Sequence, residues 1–457
     1  MVEVLLRSLG KELANRTILP GDDAYDAARS LWNADADRRP AAVVRCLDTG
    51  DVALAIRSAR EAGYRLSVRG GGHQIAGTAV VDDGVVVDLS QMNKVRYIGD
   101  GRVQVQGGAL LGAVDVVCAE QGRTVPTGIV SHTGVAGLTL GGGIGWLSRH
   151  HGLSCDWLRR AQVVGSDGTV RTADAGENAD LFWALRGGGG NFGAVTLFEF
   201  DSVPLRPVLY GYRVYSAAMA AEVLSAYGER VLPREIGVMI KGRRDRDGDP
   251  ALFIEFVHSG HSDDFAEVAG LLDFGPVLRE GQTVRPFGEV QRLSDKVFPH
   301  GRHYYQKAGH LTGLGPTVAK NFQTALESLP PGEPLIEIVH LGGAIRDIAQ
   351  ADTSYPGRDV EFGYTVMGSW TDPQHAQPSR DWARATHESF QTDAERTTYL
   401  NFASDQTAAL RHVFGTEAYQ RLVDAKRRYD PDETFQPHMP IPAQAQAGAG
   451  RSDSPGR

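Results

Sequence analysis

The chain has 457 residues, 42% hydrophobic and 23% charged, with a formal net charge of −9. That length exceeds one compact core and predicts two or three domains, while mixed charge with an acidic balance excludes a nucleic-acid partner. No apolar run reaches the roughly 18 residues of a bilayer span, and the N-terminus, with Glu3 in a short apolar stretch, does not resemble a secretory signal.

In chain order, Asp51 to Ala62 has an Asp at its start and clustered apolar residues, and predicts a helix. Tyr64 to Val68 predicts a strand running into Arg69-Gly70-Gly71-Gly72-His73. Gly84 to Leu89 and Arg102 to Val105 alternate as strands, and Leu111 to Glu120 is helical. Gln162 to Val170 is a hairpin turning at Ser166-Asp167-Gly168. Asp180 to Arg186 is a short helix, and Ala194 to Phe200 a strand. Beyond Pro204 the strands Val208 to Val214, Ile236 to Lys241, Ala251 to His258, Leu335 to Leu341 and Phe362 to Gly368 alternate with amphipathic helices, as in a largely antiparallel sheet. Thr416 to Arg427 is again helical, and from Pro442 the composition is that of a disordered tail. Lys241 to Arg246, the notable basic cluster, precedes the turn Asp247-Gly248-Asp249-Pro250 and reads as a solvated hairpin rim. Cys46, Cys118 and Cys155 are widely spaced, which suits a reducing cytosol and small buried residues rather than disulfides or zinc.

Three glycine-dense segments, Gly70–Gly72, Gly134–Gly145 and Gly187–Gly193, carry the functional signal. Glycine marks positive φ or close approach to the backbone. Two of these segments with an imidazole at the edge, His73, point to a long, flat, anionic ligand held by main-chain N–H groups. The dinucleotide-fold fingerprint is absent: Trp146 and Ser148 stand where G-x-G-x-x-G would need glycine. Gly188 to Gly193 fits that spacing but follows a helix and precedes a strand. No phosphate-loop lysine motif and no H-E-x-x-H occurs, and the pairs His150-His151 and His300/His303 lack a carboxylate at metal spacing, so no metal is expected.

Val68-Arg69-Gly70-Gly71-Gly72-His73, Gly134 to Gly145, Asp180 to Gly193, Tyr399-Leu400-Asn401-Phe402 and Tyr429-Asp430-Pro431 occur in the order of the motifs of the berberine-bridge-enzyme-like FAD-linked oxidases, which the chain resembles over nearly its whole length. The resemblance implies an α+β fold with a two-part FAD-binding domain (1–204 and 395–441), a substrate domain on a large antiparallel sheet covered by helices (205–394), and the tail 442–457. It implies FAD bound covalently through His73. Expected flavin contacts are Arg69, Gly70, Gly71, Gly72, Gln74 and Gly77; Thr133, Gly134, Gly137, Leu138, Gly142, Gly143 and Gly145; Gly193 and Val195; and His438 with Pro440. A second, cysteinyl attachment found in many relatives is not expected, because Val130 occupies that position. This matches the pattern of bacterial members with a single covalent bond.

The implied reaction is oxidation of a small organic substrate by hydride transfer to the flavin, with O2 as acceptor. A dehydrogenase with another acceptor and a redox-neutral cyclase or isomerase remain open. Thr133 stands where access of oxygen is set in the family. A proton acceptor is needed: Tyr399 is the first candidate and Tyr364 the second, with His340 and His258 as outsiders. A tyrosine with a pKa near 10 needs a nearby cation to act as base, and Lys307 is the proposed source. A cytoplasmic monomer or homodimer is expected.

Overall fold

The computed structural model describes residues 1–260, 265–391, 398–405 and 410–444, so most of the expected tail lies outside the described residues. Three principal sheets organise the chain. In the first, Ala42–Arg45, Val85–Asp88 and Leu66–Arg69 run parallel, with Thr17–Ile18 antiparallel at one edge. Parallel strands must be covered on both faces. Val85 and Val87 accordingly pack with Leu5, Leu9, Val52 and Ile56 from two helices, while Val43 and Val86 face Tyr25 and Ala28.

The crossover helix spans Thr49–Glu61, and its cap is Asp48 rather than Asp51: the Asp48 side chain accepts the Asp51 N–H. Asp51 is thereby free to pair with Arg16 at 2.6 Å. The second sheet is antiparallel and orders Val95–Gly99, Arg102–Gln106, Ala194–Asp201, Leu158–Val164 and Val170–Asp174, the last two forming the expected hairpin.

The third sheet is a seven-stranded antiparallel array: Arg279–Arg285, Val208–Ser216, Pro250–His258, Ile236–Arg244, Leu335–His340, Phe362–Trp370 and His303–Leu311. Its edge strand Arg279–Arg285 is polar and has no apolar alternation, so it gave no strand signal in the sequence. The helices Pro316–Glu327 and Ala376–Phe390 cover one face, where Phe322, Leu326, Ala383 and Phe390 meet Tyr364, Val366 and Trp370. Lys241 is not on a solvated rim. It is 1% exposed within its strand, and only the residues after it reach the hairpin end.

The helix Thr416–Tyr429 returns the chain to the first two sheets. Leu66 N–H donates to the Thr434 carbonyl at 3.0 Å and Gln436 N–H to the Leu66 carbonyl at 2.8 Å, which sets the last segment beside the first glycine turn.

Candidate active site

A cavity of ≈ 280 Å³ opens where the glycine segments face the uncovered side of the seven-stranded sheet. Its walls come from 70–75, 128–141, 187–195 and 435–439 on one side, and from Gln306, Leu335, Glu337, Thr365 and Met367 on the other. The glycines serve two different needs. A Cβ on Gly71 would lie 2.4 Å from the Gly134 Cα, so the first two segments touch backbone to backbone. At Gly137 and Gly190 an added Cβ meets nothing within 4 Å, so both leave open space in the cavity wall. A long trough walled by bare backbone suits a flat, extended group carrying an anionic linker.

His73 stands at this wall. Its ring stacks on Trp32 with centroids 4.2 Å apart, and Trp32 in turn stacks on Tyr304 at 4.0 Å. The Trp32 indole N–H donates to the Phe298 carbonyl at 2.9 Å, fixing the stack between the N-terminal region and the large sheet. Burial, with His132 and His300 beside it, lowers the His73 pKa to about 3, so the imidazole is neutral at ordinary pH. Its Nε2 is buried and has no hydrogen-bond partner among the described residues. An orphaned buried nitrogen is costly unless something fills the gap. The residues present therefore fit a group that meets His73 and lies along the glycines.

Gly70, Gly71, Gly72, Gln74, Thr133, Gly134, Gly137, Leu138, Gly193, Val195 and His438 all line the cavity, as does Val130. His438 Nε2 is a second buried nitrogen with no partner among the described residues, and burial lowers its pKa to about 4. Six expected contacts do not line the cavity. Arg69 turns back to donate to the Ala28 carbonyl and braces the turn. Gly77 packs on Ala36, while Gly142, Gly143 and Gly145 pack on Tyr355, Ser154 and the Thr127 carbonyl; their glycines relieve crowding beneath the wall. Pro440 is exposed.

The proton-acceptor candidates change as well. Tyr364 lies on the helix-covered face, where its hydroxyl bonds His387 Nδ1 at 2.9 Å and Gln391 at 2.7 Å. Lys307 shares that face and pairs with Asp405, so it supplies no charge to Tyr399. His340 is held between Tyr227 and Glu361, away from the cavity, and His258 is not among the lining residues. Tyr399 does line the cavity. Its oxygen accepts from Gly143 N–H at 3.2 Å and from Asn401 at 2.9 Å, yet burial pushes its pKa up to about 12. That makes it a poor base at neutral pH and a good support for the glycine segment. Trp32, Tyr304, His132, His300 and Glu337 were not anticipated. For Glu337 a signal existed, an acid inside the apolar run Leu335-Ile336-Glu337-Ile338-Val339.

A glycine-walled trough, an unpartnered imidazole and an adjoining antiparallel sheet define a protein that holds a flat dinucleotide against the open face of that sheet. Comparison with known proteins agrees. Residues 40–174 match the model of an FAD binding domain, and 398–442 match that of berberine and berberine-like proteins. An FAD-linked oxidoreductase of Aspergillus terreus is 35% identical over 92% of both chains. (R)-6-hydroxynicotine oxidase of Paenarthrobacter nicotinovorans is 29% identical over 93% of this chain and 95% of its own. The crystal structure of 6-hydroxy-D-nicotine oxidase from Arthrobacter nicotinovorans superposes with a TM-score of 0.85 at 27% identity, covering 95% of this chain and 99% of that one. The chain belongs to the berberine-bridge-enzyme-like family of FAD-linked oxidases, and is an FAD-linked oxidoreductase. No helix among the described residues is long and apolar enough to cross a membrane.

Proposed function

We propose that this enzyme holds FAD in the glycine-walled cavity, bonded through His73 alone, and oxidises a small organic substrate with O2 as the final acceptor. The observation that carries it is the buried, unpartnered Nε2 of His73 at the cavity wall. In this assignment residues 1–204 and 395–441 hold the cofactor, and 205–394 supply the substrate wall. When bound, the flavin supplies a two-electron acceptor for hydride.

The chain's own residues do the rest. Trp32 and Tyr304 hold the imidazole plane, so that His73 meets the cofactor without reorganising. Its low pKa keeps the ring neutral, and a neutral imidazole nitrogen is a nucleophile. Val130 lines the wall without a thiol, which supports one attachment rather than two. Gly137 and Gly190 leave room for backbone contact, and the sheet residues Leu335, Thr365 and Met367 exclude water from the opposite side.

Acid precipitation of the purified protein tests this. Yellow colour should stay in the pellet, and a flavin-sized mass should map to the peptide containing His73. In His73→Ala the flavin should wash out or appear in the acid supernatant. Acid-stable flavin in that variant refutes the anchor. Photoreduced enzyme mixed with air should reoxidise at once; slow return of the yellow band refutes O2 as acceptor and favours a dehydrogenase.

A further inference from the structure

Among the described residues, Glu337 is the only Asp, Glu, Lys or Arg that lines the cavity. It sits in the strand Leu335–His340 near the middle of the sheet, 3% exposed, level with Thr365 on one neighbouring strand and Lys241 on the other. Its Oε1 has no hydrogen-bond partner among the described residues. The Lys241 ammonium is 3.8 Å from that oxygen, too far for a hydrogen bond, and is committed to Glu255 at 2.7 Å. Two carboxylates thus share one ammonium, and with all three ionised the cluster carries one negative charge in excess.

An uncompensated charge in a dry wall is expensive. The neighbours do not relieve it: Leu335, Met367 and Phe298 are apolar, and Gln306 and Thr365 are neutral. Burial, with Glu255 adding to it, raises the Glu337 pKa although Lys241 opposes both. The wall therefore favours a cation brought in by the substrate. An anion would meet the excess charge with no cationic side chain lining the cavity. A polyol would have to exchange its hydration for few polar partners.

We propose that the Glu337 carboxylate, backed by the Lys241–Glu255 pair, is the anchor for a protonated amine, so that the substrate is an amine with an apolar body. This rests on the flavin reading above. In the step itself the substrate ammonium N–H bond breaks and Glu337 receives the proton. The adjacent C–H bond then breaks, its electron pair leaving with the hydrogen as hydride to the flavin. The freed nitrogen lone pair forms the C=N bond of an iminium product. The substrate is oxidised by two electrons and the flavin reduced by two, while the carboxyl later returns its proton to solvent.

Benzylamine and benzyl alcohol form a matched pair of probes, differing only in the ammonium group. Titration calorimetry of each into the purified holoenzyme reads binding independently of flavin colour, and acid precipitation of the same sample reports on the flavin reading. Benzylamine should bind at least about tenfold more tightly than the alcohol. The preference should vanish in Glu337→Gln. It should also fall in Glu255→Gln, where Lys241 is freed to neutralise Glu337, so a folding failure of the first variant leaves a second test. Equal binding of the two probes, no saturable binding of benzylamine, a preference that survives in folded Glu337→Gln, or one that is undiminished in folded Glu255→Gln overturns the proposal.

Discussion

Lys426→Met asks how the C-terminal segment is bound to the cofactor wall. The Lys426 ammonium is 1% exposed, donates to Asp430 at 2.6 Å and to the Asn191 carbonyl at 2.9 Å. Asp430 is fully buried and also accepts the N–H groups of Thr434 and Phe435. Asn191 in turn donates to the Gly188 and Met439 carbonyls and accepts from Ile441 N–H. One ammonium thus ties the third glycine segment to residues 430–441. Methionine keeps the length and packing but leaves the Asp430 carboxylate buried without its cation, which costs about 3–5 kcal/mol. The double variant Lys426→Met/Asp430→Asn removes both charges, keeps an acceptor for one of the two N–H groups, and should recover part of that loss. Urea unfolding followed by circular dichroism measures both, provided the slope with denaturant is unchanged. A single variant that loses less than about 1 kcal/mol, or a double variant no better than the single one, refutes this account of the pair.

Three further outcomes are expected. Gly137→Ala should fold normally, because its Cβ meets no protein atom, yet lose flavin content; Gly71→Ala should fail at the level of folding, because its Cβ lies 2.4 Å from Gly134 Cα. Thermal melts and the absorbance ratio at the flavin and protein bands separate the two. Tyr399→Phe should lower turnover only modestly and leave the pH profile unmoved, since burial already pushes that hydroxyl up to about 12; a pH limb that disappears would reinstate it as the base. Asp115, 7% exposed, has its pKa pushed up to about 7 by burial, from an ordinary 3.8. Between those two values the folded state binds more protons than the unfolded one, so stability falls as pH rises from about 4 to 7. At about 1.4 kcal/mol per tenfold this group contributes on the order of 4 kcal/mol of that fall. Asp115→Asn should flatten the curve and be the more stable protein at pH 8, as read from melting temperatures.

The glycine runs and His73 were legible because their chemistry is local. A turn that touches another backbone needs glycine wherever it occurs in the chain, and the strands Val85–Asp88 and Ala194–Asp201 announce themselves by apolar residues in sequence. Local pattern did not separate glycines that line the cavity from those that relieve crowding beneath it. Gly137 and Gly143 look alike in the chain, and only the position of Ser154 tells them apart. Local pattern does not choose between Asp48 and Asp51 as the helix cap for a similar reason, since two acids three residues apart compete for the role and Arg16, far earlier in the chain, engages Asp51.

The substrate wall failed to show itself for a deeper reason. Strand periodicity sorts Phe362–Trp370 into two sets but does not say which set faces the cavity, and every residue of that strand is buried. The choice is made by the helix Ala376–Phe390, whose Ser379 packs where Gly368 has no side chain, and this turns Tyr364 toward His387 and Thr365 toward the cofactor side. Where both faces of a sheet are covered, polarity is a better guide than period. A glutamate placed between isoleucines, and a lysine directly opposite it on the neighbouring strand, are costly in a purely structural sheet. Glu337 and Lys241 persist side by side in this one because one face of the sheet is the wall of a site.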